Sequence, residues 1–344
     1  MVIEPFDASE LSEEALAEYA ALRRAANAAD LSGDPSPGYA DAVGEPRRAV
    51  VADCGSSYWM AVGGGRILGS LELDRARESV RVEVLVHPEF RRRGIGSELL
   101  RFGAARIEAD GGEVVCAVLP DPDPRATAWI ARAGFQEKRR TLMQVLPVRS
   151  TPQRLWRVKP PPGYRLEHWT GPAPESLLES YAAARRALSD APNCPDPDPG
   201  TGPRSPARDW NAKSIREAEY ELAAEGTEEW VSVAVENRTG QVAGVSVILR
   251  YAGRPASGYV NETSVLAVHR GRGLSRAIKG ARMRWIRCEH PEMVWIMAST
   301  DSANSSMNAV NRVLGYRVAR TVVWAETTAA RLAQTLAKLP AAPR

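Results

Sequence analysis

The chain repeats itself, and no other feature constrains its folding as strongly. Residues 16–25, LAEYAALRRA, return as residues 178–187, LESYAAARRA, at an offset of 162. Arg91-Arg92-Arg93-Gly94-Ile95-Gly96 returns as Arg270-Gly271-Arg272-Gly273-Leu274-Ser275 at an offset of 179. Ala133-Gly134-Phe135 returns as Leu314-Gly315-Tyr316 at an offset of 181. Three matches in one order predict two copies of one domain, since the period is too long for a solenoid. A length of 344 residues suits two domains at about 100–200 residues each.

The expected boundaries are a first domain over 1–147, a linker over 148–163, a second domain over 164–328 and a C-terminal helix and tail over 329–344. The linker ends in Pro160-Pro161-Pro162-Gly163, a strong structure breaker. The jump in offset places a 17-residue insertion in the second copy, around 189–209. It carries Pro192, Pro195, Pro197, Pro199, Pro203 and Pro206, which exclude a helix interior or a central strand and predict a long loop. Alternation and β-branched runs predict strands over 164–169, 230–236, 242–250 and 259–268, with helices over 174–188 and 208–224. Further on come a helix over 273–287, a strand over 294–298, a helix over 305–314, a strand over 316–324 and a helix over 331–339. The first copy follows suit. This order gives an α/β (α+β) class with a mixed sheet flanked by helices, and not strict βαβ alternation.

Composition removes several functional classes. With 44% hydrophobic and 25% charged residues, the chain fits a folded globular protein. No apolar run approaches the roughly 18 residues of a membrane span, and the N-terminus lacks a secretory signal. Four Cys without CxxC spacing and four His argue against a disulfide framework or a metal site and suit a cytoplasmic location. Residues 1–150 carry a net charge of −4 and residues 151–344 one of +7. Seven basic residues and no acid fall between Arg270 and Arg287. They read as a solvated helix face or as a site for a polyanionic small molecule. Without a broad basic surplus, nucleic acid is not an expected partner.

Chemistry concentrates where a strand enters a basic, Gly-rich turn and then a helix. In the first copy, Val86-His87-Pro88-Glu89-Phe90-Arg91-Arg92-Arg93-Gly94-Ile95-Gly96-Ser97 supplies helix N-terminal amides, glycines and guanidinium groups, a combination that suits phosphate. Neither a Walker loop nor a dinucleotide fingerprint is present. The pattern V-x-P-x-x-R-x-x-G-x-G, met by Val86, Pro88, Arg91, Gly94 and Gly96, resembles the GCN5-related N-acetyltransferase (GNAT) superfamily. The second copy matches at Val265, Arg270 and Gly273, with Ala267 and Ser275 as replacements. Taken together, the two copies resemble the tandem arrangement of mycothiol synthase-like proteins.

The resemblance implies acetyl-CoA as cofactor. Its pyrophosphate would lie on Arg91, Arg92, Arg93, Gly94, Ile95, Gly96 and Ser97. In the second copy it would lie on Arg270, Gly271, Arg272, Gly273, Leu274, Ser275 and Arg276. The pantetheine arm would pair with a strand edge at Leu85 and Val86, and at Leu266, Ala267 and Val268. A substrate amine would attack the thioester directly. In the first copy the positions implied for the base are Val80 and Val82, with Glu83 out of phase unless a bulge re-aims it. In the second they are Tyr259 and Asn261, next to Glu262 and Thr263. The second copy is therefore the expected catalytic half, with Glu262 as base assisted by Tyr259 or Asn261. A Tyr implied as thiol acid is replaced by Ile130 and Asn311. Asn304 and Asn311 are expected either to contact CoA or, for Asn304, to cap a helix. Trp210, Tyr220 and Trp230 are placed either in an acceptor pocket or in the core. The reading is an N-acetyltransferase for a small-molecule amine, acting as a monomer or homodimer. A non-catalytic CoA-binding module and a protein-amine acetyltransferase are the alternatives.

Overall fold

The computed structural model describes residues 1–6, 12–30, 56–75, 79–109, 114–120, 124–188 and 209–338. The proline-rich insertion predicted around 189–209 falls almost wholly outside the described residues. The first half contains β1 (Val2–Pro5), α1 (Glu13–Asp30), β2 (Ser56–Gly63), β3 (Arg66–Arg75), β4 (Ser79–Val86), α2 (Ile95–Ala109), β5 (Val114–Pro120), α3 (Pro124–Arg132) and β6 (Gln136–Pro147). The second contains β7 (Tyr164–Thr170), α4 (Leu178–Arg186), α5 (Ala212–Ala224), β8 (Glu228–Glu236), β9 (Val242–Arg250), β10 (Ser257–Val265), α6 (Leu274–Glu289), β11 (Trp295–Asp301), α7 (Ser305–Leu314), β12 (Arg317–Thr328) and α8 (Ala329–Ala337). Apart from the strand assigned to 259–268, the predicted elements are recovered to within a few residues. No helix among the described residues is long and apolar enough to cross a membrane.

Two compact units form, and they divide the chain at places other than the predicted boundaries. One unit is residues 1–140 with 321–344; the other is residues 141–320. In the first unit β1, β2, β3 and β4 pair antiparallel in sequence order, β4 pairs parallel with β5, and β5 pairs antiparallel with β12. In the second, β7, β8, β9 and β10 pair antiparallel, β10 pairs parallel with β11, and β11 pairs antiparallel with residues 141–147 of β6. Each half of the chain thus gives its last strand to the other unit's sheet. The predicted C-terminal tail is corrected in the same way. Leu332 and Leu336 of α8 are buried in the core of the first unit with Leu99, Leu100 and Ile107 of α2, and Arg101 Nε donates to Leu336 O.

Nor is the predicted linker a free tether. Val148 and Trp156 are core residues of the second unit. Trp156 Nε1 donates to Leu314 O at 2.9 Å, and Arg287 Nη1 donates to Val148 O at 2.6 Å. Burying an indole with its N–H satisfied fixes the segment by both area and hydrogen bonding. In both sheets one face packs under the long helix that follows the Gly-rich turn. The other packs under the helix that opens the repeat, α1 or α4.

Candidate active site

Each unit has one strand–turn–helix corner, and the two corners share their backbone design. Beyond β4 and β10 the chain makes 3-10 turns, Pro88–Phe90 and Ala267–His269. Left-handed φ angles follow at two matched positions: Arg92 (66°) and Gly94 (83°) in the first, Gly271 (75°) and Gly273 (77°) in the second. Arg91 and Arg270 play one structural part, each donating Nε to the last strand carbonyl, Val86 O or Val265 O, at 3.0 Å. Gly273 offers α6 no side-chain cap. The ladder of α6 begins with Ala277 N donating to Gly273 O, so the N–H groups of its first turn remain available to an anion. A Cβ at Gly271 or Gly273 would meet nothing within 4 Å, so both glycines are there for conformation and the turn stays open.

Around these turns the side chains differ. Arg272 Nη1 donates to Tyr164 Oη at 3.1 Å, while Arg276 is exposed. In the first turn Asp30 chelates Arg91 at 2.6 and 2.8 Å, Arg93 lies 5.5 Å over the Phe90 ring, and Ser97 Oγ accepts from Trp129 Nε1. Ile95 and Leu274 are buried anchors of the helix starts. The strand edge expected at Leu266, Ala267 and Val268 is corrected: β10 ends at Val265, and Ala267 and Val268 belong to the 3-10 turn. The counterparts of Leu85 and Val86 are Ser264 and Val265.

Below each turn the parallel strands part. β10 and β11 pair only from Ser257–Trp295 to Val260–Ala298; β4 and β5 pair only from Ser79–Val114 to Val82–Ala117. A wedge opens from those points towards the turn. At its apex in the second unit β10 has a bulge: Val260 pairs with Ile248 and Glu262 with Val247, which leaves Asn261 over. The extra residue shifts Ser257–Val260 by one place against the first copy, while Glu262 keeps the place of Glu83. Tyr259 and Glu262 are buried, and Asn261 is exposed. β4 is regular, with Glu83 opposite Glu72 and Val84 opposite Leu71. Glu83 already faces α1, 3.6 Å from Arg23 and 3.4 Å from Arg81. Glu83 and Glu262, related by the 179 offset, therefore face equivalent helices.

Their surroundings differ. Glu262 forms an ion pair with Arg185 of α4, which also donates to Glu229 at 3.0 Å and to Tyr181 Oη at 3.1 Å and stacks 3.7 Å over Trp210. Burial raises the Glu262 carboxyl to about 7, with Arg185 opposing and Glu229 reinforcing the shift. Sequence reasoning missed Arg185. The signal was present in residues 178–187, since the repeated R-R pair places an Arg on the inward face of α4.

On the opposite face, α6 passes under the wedge. Arg282, fully buried, donates to Ser246 O and Ser246 Oγ, both at 2.7 Å, and Ser246 Oγ is 2.5 Å from Thr263 Oγ1 of β10. Lys279, 1% exposed, donates to Asn311 Oδ1 at 2.5 Å. Asn311 donates to Gln144 Oε1 at 2.5 Å and to Thr300 Oγ1 of β11 at 3.3 Å. The basic run is thus no simple solvated face, because two of its members lie in the core. Asn311 is a buried hub, not a surface contact. Asn304 caps α7, accepting from Met307 N at 3.0 Å. Trp210 and Trp230 are buried, whereas Tyr220 is 78% exposed.

Residues 54–137 match the family model of the acetyltransferase (GNAT) domain. A tandem GNAT protein from the clavulanic acid biosynthesis pathway is similar in structure, with 24% identity and a TM-score of 0.74 over 95% of this chain and 98% of that one. A GCN5-related N-acetyltransferase from Sphaerobacter thermophilus gives 18% identity and a TM-score of 0.69 over 95% of each chain. A GNAT-family acetyltransferase from Colwellia psychrerythraea gives 13% and 0.56 over 95% of this chain and 99% of that one. No curated protein sequence matches the chain. The matched segment contains the first strand–turn–helix corner and the parting strands β4 and β5, so the family match falls on the corner that both units share. The family match covers residues 54–137, and the likeness in structure to a tandem GNAT protein shows that fold over nearly the whole chain.

Proposed function

We propose that the protein transfers the acetyl group of acetyl-CoA to a small-molecule primary amine and that the second unit performs the reaction. The observation that carries this reading is the buried Glu262 carboxyl beside the bulge at Asn261. It titrates at about 7 and lies at the apex of a wedge whose other end is an uncapped helix N-terminus. A base with that pKa is matched to neutral pH. The turn from Arg270 to Arg276 holds the pyrophosphate by backbone amides and the dipole of α6. The arm follows the unpaired edge of β10. Glu262 accepts the proton of the attacking amine, and Asn261 and Tyr259 frame its approach. Acetyl-CoA supplies an activated acyl group, so the protein needs no nucleophile of its own. The exposed Cys288 has no assigned part.

The accessible carboxyl of Glu83 favours a second reading, in which the first unit catalyses. Thiol release with a panel of small amines separates the two. Glu262→Gln should lower kcat about 100-fold or more with CoA affinity unchanged by calorimetry, and Glu83→Gln should leave kcat within about twofold. The reverse pattern would move catalysis to the first unit, and thiol release by neither wild type nor variants would leave CoA binding without transfer.

A further inference from the structure

The floor of the second wedge holds groups that the proposed reaction has not yet used. Lys279 and Arg282 lie on the inward face of α6 and are tied to opposite banks of the gap. Arg282 reaches the β9–β10 side through Ser246 and Thr263. Lys279 reaches the β11 side through Asn311 and Thr300. The two cations therefore lie beneath the region where β10 and β11 have parted. Among the described residues no acid forms an ion pair with either. Arg282 Nε and Tyr316 Oη are buried without a hydrogen-bond partner. Unpaired buried donors and cations are costly, and a set this large is retained where an incoming group completes it.

We propose that Lys279 is a catalytic residue of the second unit and donates the proton that the CoA sulfur takes up as the thioester breaks. This rests on the functional reading above. The wedge offers one place for a thioester, the apex by Asn261 and Glu262. Lys279 lies six residues into α6 from Gly273, about 9 Å along the helix at 1.5 Å per residue, below the gap and not at its mouth. The amine nitrogen forms a bond to the acyl carbon and gives one proton to Glu262. The carbon–sulfur bond breaks, and its electron pair goes to sulfur together with one proton from Lys279. After product release the proton on Glu262 returns to Lys279 through solvent, so charge and protons balance over a turnover.

The groups facing Lys279 are Arg282 on its own helix, the Tyr316 ring 5.0 Å away and the amide of Asn311. Burial, and then the Arg282 charge, lower the ammonium to about 7, where it can release a proton at neutral pH. The first unit has no such device. At the matching positions, Leu100 replaces Lys279, Gly103 replaces Arg282, Ile130 replaces Asn311 and Phe135 replaces Tyr316.

The test uses the full chain with acetyl-CoA and the small amine of the panel that gives thiol release, and reads kcat against pH. In the wild type kcat should fall above about pH 7, as Lys279 loses the proton it donates. Lys279→Met and Lys279→Gln should each lower kcat at least tenfold and remove that fall, with CoA affinity by calorimetry held within about threefold. The Gln variant keeps a donor for Asn311, which separates loss of the proton from loss of packing. If wild-type kcat shows no such fall, or if either variant keeps it, Lys279 is not the donor. If CoA fails to bind at all, the acetyl-CoA reading of the protein is what falls.

Discussion

The two wedges are built on one backbone plan and filled with opposite chemistry. Under the gap of the first unit lie Leu71, Leu100, Leu119, Ile130 and Phe135, all in one apolar core. The matched residues in the second are Ser246, Lys279, Thr300, Asn311 and Tyr316; Lys279, Asn311 and Thr300 form one hydrogen-bonded chain, and Ser246 accepts from Arg282. The turns above also differ. Asp30 chelates Arg91 in the first, whereas Arg272 is tied to Tyr164 in the second. Duplication thus kept the scaffold in both units while the interior beneath the wedge diverged. An apolar floor stabilises a fold, and a cationic one lowers stability unless its site is used.

Exchange of one residue between the floors should expose that difference most clearly. Leu100→Lys buries an unpaired ammonium among aliphatic side chains and should destabilise the protein by about 3–5 kcal/mol in urea unfolding. The reverse change, Lys279→Leu, should cost less than about 1 kcal/mol or stabilise. Equal losses from both would mean that the two floors are equivalent. The dependence of stability on pH is the next largest effect. The pKa of Lys279 in the folded state, about 7, is below its unfolded value of about 10.4. Between those values the unfolded chain binds more protons, so stability rises with pH across that window. Lys279→Met should remove most of that rise in denaturation midpoints measured at stepped pH. The smallest effect concerns the turns. Asp30→Asn frees Arg91 from a half-exposed ion pair and should tighten CoA at the first turn by about two- to fivefold in calorimetry, with no change at the second.

Much of this was legible in the sequence. The repeat gave the tandem, and the Val–Pro–Arg–Gly–Gly spacing gave the turns, because helix periodicity and glycine placement are local signals. The pairing of β6 with β11 and of β12 with β5 was not legible. Both are terminal strands of equivalent repeats, with nearly interchangeable patterns, and the choice of partner is made by packing far away in sequence. The bulge at Asn261 was hidden for a related reason: it changes the offset between the copies from 178 in Ser257–Val260 to 179 from Glu262 on, a one-residue step that only the strand pairing reveals. Lys279 and Arg282 were read within a basic run, since charge suggests a solvated face. Set beside Leu100 and Gly103 at the same offset, they occupy core positions, and that alignment was the available clue.

The trading of terminal strands has a consequence for biogenesis. The first unit needs residues 321–344, and the second needs only residues 141–320. A ribosome releases the chain from its N-terminus, yet the N-terminal body must wait with the β5 edge bare until the last segment emerges, an exposure that invites wrong pairing. The strand pairing of the first unit is therefore completed only after residues 317–328 have been made, later than every strand of the second.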